Sequence, residues 1–470
     1  MKKALSVFII LLIAISVYGQ DETKKAKKEK KPPKEKVGWR FGGALPATTY
    51  DSNLGFQYGA LFTFYNYGKP SVYPDYLDYT YTEVSHFTKG SGIFRFMYES
   101  NHLIGNTHTA FDISYLPDKA YDFYGFNGYE SVFNAPWTDE ADTLTDPANY
   151  KSRMFYRMKR DQFRIKFDLQ GKLTGEHLKW SAGFGINKFM IGSVDIDRLN
   201  KGLNTDKHTL LKPLNEQPGL YEIYKNSLGL ITANEADGGW VNTIKAGIMW
   251  DSRDNRSNPM KGIWTEVGIE YAPGFLGNDW SFAKLYFTHR QYFTLVKEDL
   301  SFVYRLGYQT TLGGDVPFFY QSQVITSLLT GATNEGLGGS STLRGVLRNR
   351  VIGDGFVYGN FELRWKPLYF KFLKADCYLG INAFYDVGIV TDKINLPSDL
   401  QTTFNDQLSE GGYTYSDFFN PGGEKLHHCA GISILPVMNQ NFVIAIDIGK
   451  AFNTQDSNKL GFSIGLNYLF

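Results

Sequence analysis

Two cysteines in 470 residues, Cys377 and Cys429, are too few for a disulfide scaffold. Long apolar runs are also scarce. A membrane helix needs about 20 apolar residues, and a mean hydropathy of −0.29 argues against a bundle of such helices. No charge of one sign dominates. The net charge of +1 removes the electrostatic case for a nucleic-acid partner. With 21% charged and 43% hydrophobic residues, the chain is not a disordered one. What is abundant is aromatic: Phe, Tyr and Trp make up 16% of the chain, beside 48 glycines. That mixture points to many strands joined by turns.

The ends differ from the body. Lys2 and Lys3 precede an apolar stretch from Leu5 to Tyr18, too short to span a bilayer comfortably. Val17 and Gly19 suit a signal-peptidase site, so residues 1–20 read as an export signal. No Cys lies near the cleavage point, which argues against a lipid-anchored protein. The segment DETKKAKKEKKPPKEK, residues 21–36, has eight Lys against four acids and no apolar face to bury. It opens a basic periplasmic tail, 21–40, whose plainest role is a solvated linker. The first 36 residues carry a net +6, which leaves the remainder at −5.

Residues 41–470 carry period-2 patterning. In 163–173, Phe163, Ile165, Phe167 and Leu169 alternate with Arg164, Lys166, Asp168 and Gln170. In 357–366, Val357, Phe361, Leu363 and Trp365 oppose Tyr358, Asn360, Glu362 and Arg364. The last strand, 459–470, sets Phe462, Ile464 and Leu466 against Gly461, Ser463 and Gly465. Successive strand side chains point to opposite faces, so each strand has a greasy and a wet side. A soluble sandwich alternates too. Three features favour a transmembrane antiparallel β-barrel: strands of about ten residues or more, full charges at mid-strand on the wet face, and aromatics closing the greasy one. The chain divides into about sixteen strands. The long connections 117–150, 194–238, 313–355 and 390–426 fall on one side. The short ones 174–177, 297–299, 367–374 and 436–440 fall on the other. Long loops outside and short turns inside match a barrel in the bacterial outer membrane.

One loop stands apart: GLGGSSTLRGVLRNR, residues 336–350. No Lys-Ser/Thr follows its glycines, so it is not a phosphate loop, and it lacks the closing Gly of a nucleophile elbow. The stretch Gly338, Gly339, Leu343, Arg344, Gly345 resembles the sixth outer loop of the outer-membrane barrel-assembly and polypeptide-transporter superfamily, the bacterial surface antigen family. Val346 stands where that family usually has an aromatic. NFELRWKP then supplies the family's inward acid, Glu362, and FYDVGIVTD its aromatic-x-Asp-x-Gly motif, with Asp386 and Gly388. WDSRDNRSNPMKG, 250–262, is similar to a periplasmic turn of the family, and YGFNG, 124–128, to another recurring element. Tyr468 and the terminal Phe470 match the C-terminal signal read by the barrel-assembly machinery.

The resemblance implies a loop tucked back into the barrel and a role in inserting, translocating or organising outer-membrane components, as one subunit beside other outer-membrane or periplasmic proteins. About twenty residues separate the signal from the first strand, too few for the family's polypeptide-transport-associated domains. The rival reading is a passive porin-like channel or receptor. No enzyme, cofactor or metal site is expected. Among eight histidines only His427-His428 adjoin, and adjacent strand residues face opposite ways, so the histidines read as surface polar groups. The expected partners are outer-membrane lipid, the assembly machinery and membrane or periplasmic proteins, with no nucleic acid. By parity Glu362 and Asp386 point into the lumen, where Arg344 is expected to pair with both. The plainer reading has Arg344 lining the pore, or pointing outward with Arg348 and Arg350. Cys377 has lipid-facing parity near the short-turn end of its strand, and Cys429 lumen parity near the outer end. Both are expected to stay thiols.

Overall fold

The computed structural model describes residues 37–466 except 52–54, 70–75, 141–148, 203–204, 206–208, 256–257, 327–335, 373–374 and 439–441. The expected signal, residues 21–36 of the tail, and Tyr468 and Phe470 lie outside the described residues. Among the described residues, nineteen strand segments form a single sheet, each antiparallel to its neighbours, and the sheet closes on itself where Ser463 pairs with Asp51. The expectation of about sixteen strands differs from this count for local reasons. Trp39–Pro46 and Tyr50–Asp51 both pair with Gly55–Asn66, and Gly238–Trp240 and Thr243–Asp251 both pair with Leu178–Gly192. Tyr121–Asp122 is a two-residue ribbon beside Arg157–Thr174.

The barrel is inside-out relative to a soluble protein. Along Gly355–Phe372, Tyr358, Asn360, Glu362 and Arg364 are buried, whereas Leu363 and Trp365 are 44% and 49% exposed. Along Ala375–Asp392 the inward set is Tyr378, Gly380, Asn382, Phe384 and Asp386. Phe56, Phe62, Phe96, Phe184, Ile248, Ile269, Leu306, Ile432 and Ile448 all project outward. Only a hydrocarbon surround makes such a face favourable.

One boundary departs from the expected pattern. The short turn placed at 367–374 is mostly strand, and pairing runs on to Phe372↔Ala375. Pro367 has no N–H to give the ladder. The register accordingly skips between Trp365 and Leu368 and then resumes. Apolar alternation breaks at that skip, which hides the continuation.

The described parts of the long connections do not splay. They collapse at one end of the barrel into an aromatic dome built from Phe123, Phe126, Trp137, Phe155, Tyr156, Phe189, Tyr221, Tyr224, Phe318, Phe404, Phe418 and Phe419. Edge-on pairs recur there, such as Phe123–Tyr224 at 5.5 Å and Trp137–Phe155 at 4.9 Å. Short helices, Leu400–Leu408 and Tyr415–Phe418, bring Phe404 and Phe418 into it.

Two outcomes are expected. Phe155 is fully buried in the dome. Phe155→Ala should cost about 3–5 kcal/mol locally and make the outer loops protease-sensitive, while the unheated barrel still migrates as a folded band. Loops that stay resistant would mean that the dome does not hold them. Cys377 and Cys429 form no disulfide. They sit opposite Met438 and Asp386, nine ladder steps or about 30 Å apart along the strand. A non-reducing gel should show no reductant-sensitive shift, and a shifted band would contradict the register.

Candidate functional site

The loop at 336–351 enters the lumen as a self-closed knot. Leu337 bridges Val351 at its neck, and the Gly339 N–H donates to the Val346 carbonyl at 3.0 Å. The Thr342 hydroxyl accepts from the Gly338 N–H at 2.9 Å and donates to the Gly336 carbonyl at 3.0 Å. Gly338 has φ +119°, and a Cβ there would lie 2.0 Å from the Leu347 carbonyl oxygen, so glycine is required. Leu343 is fully buried among Leu337, Val351, Phe356, Tyr358 and Val390, and Val346 joins this cluster where an aromatic is usual. Gly345 lets the tip lie flat, since a Cβ would meet Cys429 and the Lys450 backbone at 2.7 Å. Its N–H donates to Cys429 Sγ at 3.1 Å.

Arg344 is held by four side chains. Its Nε donates to Asp386 Oδ2 and its Nη2 to Asp386 Oδ1, each at 2.8 Å. Nη1 donates to Glu362 Oε1 at 2.5 Å. Phe384 lies against the guanidinium plane at 3.8 Å, and Asp447 Oδ1 stands 4.0 Å from Nη1. The backbone N–H of Arg344 also donates to Asp386 Oδ2, at 3.1 Å. Asn360 steadies Asp386 through a 2.7 Å bond, and Arg364 Nε holds the second Glu362 oxygen at 2.7 Å. The planar fork of donors serves two carboxylates at once, a geometry that an ammonium does not offer.

The loop's other arginines do not point outward. Arg348 and Arg350 are 2% and 1% exposed. Arg348 Nε donates to Asp122 at 2.7 Å and Nη1 to Asp118 at 2.9 Å. Arg350 donates to three backbone carbonyls: Gln455 at 2.7 Å, Gly128 at 2.9 Å and Ser131 at 2.8 Å. Gly128 belongs to the YGFNG element, so that motif's place is under this arginine. Sequence reasoning missed Asp118, Asp122, Arg348 and Arg350. It also misplaced His427, which is fully buried. Its Nδ1 meets Asp456 at 2.6 Å, its Nε2 meets Glu424 at 3.3 Å, and Tyr129 stacks on it at 3.9 Å. His428 faces the other way, against Phe452. The physical reason is burial under the dome: a ring with both nitrogens on carboxylates needs no solvent. Among the described residues, no group of three His, Cys, Asp or Glu side chains stands ready to hold a metal ion.

This geometry, a knotted loop pinned by buried arginines inside an antiparallel barrel, has relatives. The model of the Omp85 superfamily domain matches residues 119–468. This chain belongs to the Omp85 superfamily. The Omp85 chain is a bacterial outer-membrane barrel whose fold is similar to that of BamA from Haemophilus ducreyi lacking POTRA domains 1–3. The TM-score is 0.50 at 13% identity, over 92% of this chain and 70% of that one. CdiB from Escherichia coli matches with a TM-score of 0.48 at 11% identity, over 90% of this chain and 62% of that one. No curated protein matches the sequence.

In this Omp85 barrel, breaking one buried partner of Arg344 leaves the others uncompensated, a cost of about 3–5 kcal/mol in a dry core and less in a wetter lumen. Arg344→Ala should therefore lower the heat-modifiability temperature, with Arg344→Lys intermediate. Adding Glu362→Gln to Arg344→Ala should change little further, and full additivity would show that the groups are uncoupled. The loop at 117–122 should respond to acid. Burial pushes Asp118 up, but Arg348, Ser91 and the Ala120 N–H outweigh it and hold the carboxyl below its usual range. A depressed acid contributes stability that is present above the unfolded value and lost as pH falls through the folded one. Proteolysis near 117–122 should thus accelerate only below about pH 4. Asp118→Asn should raise cleavage at neutral pH and flatten that acid dependence. An unchanged profile would remove Asp118 from the anchor.

Proposed function

We propose that this barrel inserts, translocates or organises outer-membrane components through its seam, as a non-enzymatic subunit working with other outer-membrane or periplasmic proteins. The observation that carries the reading is the closure itself. Among the described residues Gly461–Leu466 meets the short segment Tyr50–Asp51 at a single pair, Ser463↔Asp51. The neighbouring ladder between Phe442–Ala451 and the same last strand has six pairs, Ile444↔Leu466 through Gly449↔Gly461. Strand pairing is the unit of sheet stability, and among the described residues this junction has the fewest pairs. The pinned loop rests beside this junction. A Cβ on Gly449 or Gly461 would come within 2.8 or 2.7 Å of the Arg344 carbonyl oxygen. The loop enters the lumen and the dome lies at one end of the barrel, which speaks against a passive porin-like channel.

Directly opposed residues in an antiparallel pair lie within disulfide reach. In proteoliposomes the purified barrel should speed the folding of a urea-unfolded outer-membrane β-barrel. The Asp51→Cys/Ser463→Cys form should lose that effect when oxidised and regain it on reduction. No acceleration, together with large steady conductance in planar bilayers, would favour the porin reading instead.

A further inference from the structure

We propose that a monatomic anion, chloride in the cell, binds between Arg160 and Arg348 and clamps the inserted loop to the barrel wall. Arg160 is 5% exposed on the inner face of Arg157–Thr174. Its guanidinium lies between the rings of Tyr121 and Phe189, at 4.7 and 4.8 Å. Its Nη2 reaches the Phe319 carbonyl at 3.5 Å, a long contact, and its Nε has no partner among the described residues. Arg348 Nη2 also lacks one. Both side chains line a cavity of about 20 Å³ with Ser91, Leu116, Gln162 and Asp118.

The charges around it do not balance. Asp122 is matched by Arg157 at 2.6 Å and Arg348 at 2.7 Å. Asp118 accepts from Arg348 at 2.9 Å, Ser91 at 2.6 Å and Ala120 at 3.2 Å. Two buried arginines, Arg160 and Arg348, and the half-buried Arg157 thus face two carboxylates, and no described acid lies within ion-pairing distance of Arg160. Asp161, its neighbour, is taken by Lys119 at 2.5 Å. A buried charge needs a counter-charge as well as hydrogen-bond partners. Ring faces stabilise the cation only in part. A water molecule needs about 10–15 Å³ and would satisfy the N–H groups, but it supplies no charge. The space that accepts a water molecule also accepts one monatomic ion. The flanking carboxylate of Asp118 does not block the site, because its oxygens already face donors.

The test uses the full barrel in detergent. Crystals grown or soaked in bromide should show an anomalous peak between Arg160 and Arg348. Its absence overturns the proposal, whatever any variant does. At fixed ionic strength, the thermal midpoint should rise and saturate with chloride or bromide and not with gluconate or sulfate. Arg160→Met should abolish the difference between these salts. Equal response of the wild-type barrel to all four salts would mean that water fills the cavity and that no anion clamp exists.

Discussion

The structure hangs on one guanidinium shared by two acids. Arg344 sits where a loop from one end of the barrel meets two strands of its wall, and Asp386 takes both its Nε and Nη2. The desolvation cost of such a cluster is large, and packed hydrophobic residues would often stabilise as well. What the ions add is direction. A bidentate pair fixes the loop's depth and rotation, because Asp386 also receives the Arg344 backbone N–H. An apolar plug in the same space would have no such registry.

From that anchor the loop spreads outward. Arg348 ties it to Asp118 and Asp122, and Arg350 to carbonyls at Gly128, Ser131 and Gln455. All of these contacts but the one to Gln455 join segments more than two hundred residues apart. The dome and the lumen network are therefore one unit, so disturbing the loop also disturbs the long connections. The Tyr129–His427–Asp456 contacts extend it to the connection before the last strand. Beside this unit the last strand, among the described residues, meets Tyr50–Asp51 at the single pair Ser463↔Asp51.

The barrel was legible in the sequence because its constraint is local. Alternation along 163–173 or 357–366 needs only neighbouring residues, and a strand's two faces follow from it. Glu362 and Asp386 could be turned inward by parity alone, and the family order of motifs set Arg344 against them. Arg348 and Arg350 were not legible. Their partners are loop carboxylates and backbone carbonyls, and contacts between irregular segments leave no period in the sequence. His427 hid for the same reason: its burial comes from Tyr129, Glu424 and Asp456, brought over it by three different connections. Pro367 misled in the opposite way, by looking like an end when it marks only a skipped pair.

The central claim is that the charge cluster seats the loop tip over the barrel wall, and the thiol of Cys429 reports on it directly. That thiol is fully buried beneath Gly345, whose N–H it receives. Alkylation followed by intact-mass analysis of the folded barrel should leave Cys429 unmodified in the wild type and modify it in Arg344→Ala, with Cys377 as the internal reference. Rapid alkylation of Cys429 in the wild type, or equal protection in the variant, would contradict the account.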